Sequence, residues 1–414
     1  MKVALVAESF LPQANGVTNS LLRVIEHLTA RGDEALVIAP ESKGDHGPVR
    51  YGIARVRRLP SMGWPGYDDV RVSLSGSARI GRLLDDFEPD VVHLASPFML
   101  GWSAIRAANE LGLPTVAIYQ TEVPSYAESY NAAWGESILW NRVRNIHDRA
   151  DLTLAPSTHA MRQLEQLGVP RLRLWPRGVD TARFRPDRRD PRLRERWAPG
   201  GEVIVGYAGR LAAEKRVEDL ARLAAVDGIR VVIIGDGPSR SRLESLMPDA
   251  TFTGFLAGDE LARALASLDV FVHCGELETF CQTIQEAHAS GVPVVAPRRG
   301  GPIDLVDPDH TGYLYPPGRL DLMVAGVRTL VSEPERRERF AANARVSVED
   351  RTWPRVCDRL IDYYDEAIRN HEATPVRPWD VLEHEVVDDT DDDDTAGDDA
   401  AAGDGARGTE TGRP

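Results

Sequence analysis

Cysteine is scarce in this 414-residue chain: Cys274, Cys281 and Cys357 are the whole set. An odd count without metal-ligand spacing excludes a disulfide framework and a zinc motif, and a reducing cytoplasm is the expected home. No apolar run is long enough to span a bilayer, so the chain is expected to be soluble or at most to adhere to a membrane surface. The N-terminal apolar run after Lys2 is interrupted by Glu8 and lacks the long core and cleavage site of a signal peptide. A basic stripe is missing too, which argues against a nucleic-acid partner. The net charge of −15 is uneven, because residues 372–414 hold 14 acids against three arginines and leave the rest at −4. That segment is Pro, Asp, Gly and Thr without periodicity, and its composition predicts a disordered acidic tail. Its Asp391–Asp394 run has no strand context and is not read as a metal site.

What remains has the composition of a globular protein, 42% hydrophobic and 27% charged, and the length of two domains. Apolar runs at Val3–Ala7, Ala35–Ala39, Asp90–Leu94, Pro114–Tyr119 and Leu152–Ala155 alternate with segments of helical period such as Val17, Leu21, Leu22, Ile25 and Leu28. A Pro- and Arg-rich passage, Pro176–Gly201, reads as a linker. A second alternation follows, with strands at Glu202–Ala208, Ile229–Ile234, Ala250–Phe252, Val270–Val272 and Val292–Val295. Strand–helix alternation with short connections implies an α/β fold of two Rossmann-like, doubly wound domains, residues 1–180 and 181–352. The site then belongs in the cleft between the carboxyl ends of the two sheets. An amphipathic helix, residues 353–371, presents Val356, Leu360, Tyr363, Tyr364 and Ala367 on one face.

Most of the chemistry is concentrated in Asp269–Gly301. There a buried strand, a small-residue loop and a helix expected to start near Thr279 precede the strand Val294–Val295. Glu278 sits at the helix mouth and Glu286 on its flank, roughly 12 Å apart if the segment were all helical. The free N–H groups of Thr279 to Gln282 would favour an anion, and the two acids would accept hydroxyls. A sugar joined through a diphosphate to a ribose fits that layout. Two solvent-facing acids on an ordinary helix are the plainer alternative.

This block, Glu-x7-Glu followed by small-residue turns and Val-Pro-Val-Val, resembles the signature of retaining glycosyltransferases of the GT-B architecture, specifically glycosyltransferase family 4. The resemblance extends over about residues 1–370. It implies that Glu278 contacts hydroxyls of the donor sugar, that the main chain of Phe280, Cys281 and Gln282 holds sugar and phosphate, and that Glu286 binds the ribose. Cys281 stands where the family usually has Gly. The variant Glu-Thr-Phe-Cys-Gln-Thr is similar to actinobacterial GDP-mannose-dependent α-mannosyltransferases acting on glycolipids. In the family the C-terminal helix crosses back to the first domain, which is taken to bind the acceptor while the second binds the donor.

Other segments match as well. Gly209-Arg210-Leu211 with Glu214-Lys215 corresponds to the family's Gly-Arg-Leu…Glu-Lys, making Arg210 and Lys215 the phosphate-binding and catalytic cations. Asn15-Gly16-Val17 matches a Gly-Gly-Val turn, which puts Gly16 near the diphosphate and Asn15 near the acceptor. Gln120 occupies a position where the family often has His, so a general-base His is ruled out there, and Glu122 beside it is a candidate for acceptor binding. Gly254 and Phe255 match the base-edge loop. Gly235-Asp236-Gly237-Pro238 reads as a turn, and Arg177-Gly178-Val179-Asp180 as an interdomain hinge with Arg for the usual Asn. His93, His273 and His288 have apolar neighbours and read as core histidines rather than ligands.

The implied reaction moves a hexose from a nucleoside diphosphate sugar, GDP-mannose first, to a hydroxyl of a glycolipid or lipid-linked glycan, retaining the anomeric configuration and without a metal. A UDP-sugar-dependent transferase, a sugar-nucleotide epimerase and a non-catalytic sugar-nucleotide sensor are the alternatives. Arg50, Arg55, Arg57 and Arg58 with Met62, Trp64 and Tyr67 read first as a solvated strand edge and loop, and also suit peripheral contact with an anionic membrane surface on its cytoplasmic face.

Overall fold

Runs of Val, Ile, Leu and Ala four to seven residues long become strands buried on both faces, which is how parallel sheets read in sequence. A computed structural model describes residues 1–13, 15–42, 47–64, 67–120 and 136–373. Glu122 and the acidic tail from residue 374 onward lie outside the described residues.

In the first lobe the strands are β1 (Lys2–Ala7), β2 (Glu34–Pro40), β3 (Arg50–Tyr51), β4 (Ala54–Leu59), β5 (Met62–Trp64), β6 (Tyr67–Val72), β7 (Val91–Ala95), β8 (Thr115–Ile118), β9 (Leu152–Ala155) and β10 (Leu172–Leu174). Eight of them form one sheet in the order β10-β9-β8-β7-β1-β2-β4-β3, parallel apart from the β3–β4 pair, and β5 pairs with β6 separately. The second lobe is a parallel sheet in the order β13-β12-β11-β14-β15-β16. Its strands are β11 (Val203–Ala208), β12 (Ile229–Ile234), β13 (Thr251–Gly254), β14 (Val270–Val272), β15 (Val294–Pro297) and β16 (Gly312–Tyr315). The order reverses between β1 and β7 in one sheet and between β11 and β14 in the other. At such switch points adjacent loops leave in opposite directions and open a crevice.

The helix Gly16–Arg31 follows β1. Asn15 caps its start, accepting from Val17 N and Thr18 N at 3.0 and 2.9 Å, and Gly32 ends it at φ 77°. The C-terminal helix Trp353–Ala373 returns to the first lobe, as the resemblance implied. It buries Val356, Leu360, Tyr364 and Ala367 in one core with Val3, Leu5, Val37 and Ile118, while Tyr363 is only partly buried. Within that core the Tyr364 hydroxyl lies 2.6 Å from Nδ1 of His93, whose pKa burial lowers to about 3. His93 is therefore neutral and structural. Leu360→Ala would cost about 2–5 kcal/mol by opening a cavity there.

The linker passage is ordered. Asp190 caps the short helix Pro191–Trp197, Trp197 is buried, and Arg189 and Arg194 both reach Asp269 at 2.5 and 3.0 Å. In the arginine-rich segment, Arg55 and Arg57 alternate outward along β4 between buried Ala54 and Val56. Arg58 instead turns inward, donating to the carbonyls of Pro40 and Leu11. It is a structural residue rather than part of a surface patch.

Candidate active site

The second lobe presents its site along the C-terminal edge of one sheet. Arg210 and Lys215 follow β11, Gly254 and Phe255 end β13, and Glu278 follows β14. Adjacent strands lie about 4.8 Å apart, so the edge from β13 to β14 spans roughly 14 Å. Phe255 is 77% exposed at one end of that edge, free to stack on a base, and Gly254 takes φ 77° to make the turn. Arg210 is exposed after β11, and among the described residues it enters no ion pair.

Glu278 is the most heavily partnered of the candidates. Its Oε1 lies 2.7 Å from Nζ of Lys215 and 3.4 Å from Nε2 of His273. Burial alone would raise this carboxyl, but Lys215 and His273 outweigh it and hold the pKa at about 2. His273 is buried at the end of β14, stacked on Tyr207 with centroids 6.3 Å apart, and the Tyr207 hydroxyl donates to the carbonyl of Arg210. Burial opposes charging of His273, yet Cys281 and Glu278 raise it to about 10. This histidine belongs to the site as well as to the core. Sequence reasoning missed it; the usable signal was its place one residue past a strand end, five residues before Glu278.

His273, Glu278 and Cys281 bring one ligand atom each within 4.8 Å of one another, the group that could hold a metal among the described residues. The Glu278 oxygen is already taken by the Lys215 ammonium, with the raised His273 beside it.

The helix after this loop starts at Gln282, three residues later than expected. Two contacts explain the delay. Gly301 N donates to the Glu278 carbonyl at 2.7 Å, and Cys281 adopts φ 75°, a left-handed conformation that ends any helix running through it. Gly301 must be glycine, since a Cβ there would come within 2.0 Å of the Phe280 carbonyl oxygen. The Phe280 side chain is buried in the second core, leaving only its main chain for a ligand. Glu286 lies in the second turn of the helix. Burial pushes its carboxyl up to about 8 against the pull of Arg183 and Gln282.

The first lobe meets this edge directly. Thr279 Oγ1 donates to the Gln120 carbonyl at 2.9 Å, and the Gln120 side chain is buried and accepts from Arg177 Nη2 at 3.0 Å. Gly16 lies beside the same guanidinium, where a Cβ would stand 2.7 Å from Nη1. The Asn15 side-chain Oδ1 accepts for the helix cap and its Nδ2 donates to Ser9 Oγ at 2.8 Å. Gln282 and Gln285 donate to the carbonyls of Gly178 and Arg177, both at 3.0 Å, and Asp304 accepts from Thr158 N and Oγ1 at 2.6 and 2.5 Å. Structure thus brings together Gly16, Gln120, Lys215, Glu278, Cys281 and Gln282, with Arg210, Phe255 and Glu286 on the same rim. The order reversals place that rim at both switch points.

Comparison with known proteins bears on the family and the fold. Residues 14–183 match the family model Glycosyltransferase Family 4, and residues 190–347 match Glycosyl transferases group 1. A GDP-mannose-dependent alpha-mannosyltransferase of Mycobacterium tuberculosis is 50% identical over 377 residues, covering 90% of this chain and 98% of the relative. One of the same description from Corynebacterium glutamicum is 42% identical and covers 91% of each. Sulfoquinovosyl transferase SQD2 of Arabidopsis thaliana is 37% identical, over 85% of this chain and 71% of its own. Among solved structures, HepE of Anabaena in complex with UDP superposes with a TM-score of 0.71 at 18% identity, covering 88% of this chain and 100% of that one. Sucrose-phosphate synthase of Thermosynechococcus elongatus gives 0.72 at 20% identity, over 89% and 99%. At these identities the last two speak for the fold alone.

Proposed function

As this chain belongs to glycosyltransferase family 4, with the GT-B fold, we propose that it transfers mannose from GDP-mannose to a hydroxyl of a glycolipid or lipid-linked glycan, with retention of the α configuration. The observation that carries the reading is the Lys215–Glu278 pair, 2.7 Å apart on the edge that also bears Arg210. One member suits the diphosphate, the other the sugar hydroxyls.

The donor would lie with guanine against Phe255 and its ribose on Glu286. Its diphosphate would reach Arg210 and Lys215, and mannose would sit beside Glu278. Charge develops on the β-phosphate as the bond between its oxygen and the anomeric carbon breaks, and two fixed cations stabilise that charge without reorganising. The acceptor hydroxyl approaches the same face, its oxygen bonds to the anomeric carbon, and its proton passes to the departing phosphate to give GDP. Gln120 is not ionisable at neutral pH and cannot take up the proton in that transfer. The chain's own cations neutralise the diphosphate, so we propose no metal requirement.

Among the described residues no helix is long and apolar enough to cross a membrane. A lipid acceptor would be met at the cytoplasmic face, through the outward Arg50, Arg55 and Arg57 with exposed Met62. The test is turnover of GDP-mannose against UDP-glucose with a diacylglycerol-based glycolipid acceptor, reading nucleotide release and the anomeric signal of the product by NMR. The reading requires GDP release with an α-mannoside, and preference for UDP-glucose would refute the donor.

A further inference from the structure

Arg177 is a withdrawn cation in the cleft to which the donor reading gives no role. It stands on the strap between the lobes, directly after Trp175 and Pro176, and its main chain is fixed from two sides. Gln285 donates to its carbonyl and Gln282 to that of Gly178, both from the helix that carries Glu286. Gly178 is pressed against Trp353, where a Cβ would come within 2.6 Å of the Trp353 Cα. The guanidinium points the other way, into the first lobe. Nη2 donates to Gln120, Nη1 faces Gly16, and Nε is buried with no partner among the described residues.

An arginine half-withdrawn from water with its Nε buried is normally held by a carboxylate, because an unpaired buried charge is costly. Among the described residues Arg177 has no ion pair within 4 Å. The acid that acts on its charge, Glu278, is already bound to Lys215. Beside it, Gly16 supplies no side chain at the start of a 16-residue helix, whose dipole favours negative charge. Gln120, neutral where the family often has His, accepts from the guanidinium and aims it. These neighbours leave the guanidinium beside a helix start without a carboxylate of its own.

We propose that Arg177 is a phosphate-binding residue, holding an oxygen of the donor's β-phosphate against the helix start at Gly16. With Arg210 and Lys215 on the opposite lobe it completes a three-cation clamp that forms only when the lobes meet. The proposal rests on the nucleotide-sugar reading and adds the residue that carries the leaving group from the first lobe's side.

The test is the ratio of GDP to GMP affinity, measured by calorimetry without acceptor for wild type, Arg177→Met, Arg177→Lys and, as a control, Arg210→Met. A charge-assisted contact predicts that Arg177→Met weakens GDP at least ~10-fold while GMP, which has no β-phosphate, changes less than ~3-fold, and that Arg177→Lys recovers part of the loss. A GDP-to-GMP ratio unchanged by Arg177→Met but lowered by Arg210→Met would overturn the proposal. An unchanged ratio with a raised KM for a phosphate-bearing acceptor would overturn it too, by moving the anion to the acceptor. A wild type that prefers uridine nucleotides would refute the guanine donor and leave Arg177 testable, since UDP against UMP reads the same β-phosphate.

Discussion

Lys215 Nζ and Glu278 Oε1 lie 2.7 Å apart, on loops that follow two different strands of one sheet and are 63 residues apart in the chain. The pair keeps both charges in place before a ligand arrives. In the proposed binding mode the ammonium would face phosphate and the carboxylate sugar, which predicts separable effects for the two members. Glu278→Gln is predicted to lower kcat about 100-fold, the scale of losing one preorganised group at a centre of developing charge. GDP affinity should stay the same or rise, because Lys215 then loses its carboxylate competitor for the diphosphate. Calorimetry and initial rates check both, and a wild-type kcat would remove Glu278 from the site.

The same pair predicts how stability follows pH. Glu278 has its pKa lowered to about 2, so its contribution is present above the ordinary carboxylate value near 4.5 and is lost as pH falls toward 2. His273 is raised to about 10, so its contribution is full below 6.5 and is lost as pH rises through 10. The Tm advantage of wild type over Glu278→Gln should be largest near neutrality and shrink at both extremes. A constant difference across that range would contradict the assignment.

Glu286 behaves in the opposite sense. Its carboxyl is raised to about 8, so between pH 4.5 and 8 the unfolded chain loses a proton that the native chain keeps, and stability falls as pH rises. Glu286→Gln should therefore raise Tm at pH 8 and change it little at pH 4.5. Donor affinity should drop roughly 10-fold in the same variant, because the ribose hydroxyls lose a carboxyl partner. Equal Tm shifts at both pH values would count against it.

Asp304 reaches across from the second lobe to Thr158 N and Oγ1, at the start of a first-lobe helix. A carboxylate there satisfies free N–H groups and complements the helix dipole. Asp304→Ala should loosen the contact between lobes, giving a larger radius of gyration by small-angle scattering and a lower kcat with little change in GDP affinity. An unchanged radius would show that other interlobe contacts suffice.

The two sheets and the Glu278…Glu286 segment were legible because buried parallel strands are unbroken apolar runs and the signature is contiguous. Contacts between distant segments were not legible. Nothing in the sequence around Arg177 marks its bond to Gln120, 57 positions away, and the hinge assignment was right about its place while missing its guanidinium. The late helix start at Gln282 depends on Gly301, which lies after the next strand. His273 looked like a core residue, and is one; its second role appears only once the loop folds Glu278 back over it. Asn15, a candidate for the acceptor, is used as a cap, a role that Asn before a helical run does announce.

The most direct measurement is a crystal structure of this chain with GDP-mannose. The account predicts the diphosphate within hydrogen-bond distance of Arg210 and Lys215, mannose hydroxyls on Glu278, ribose on Glu286, and Lys215 drawn from the carboxylate toward phosphate. A nucleotide bound away from that edge, or a Lys215–Glu278 pair left undisturbed beneath it, would contradict it.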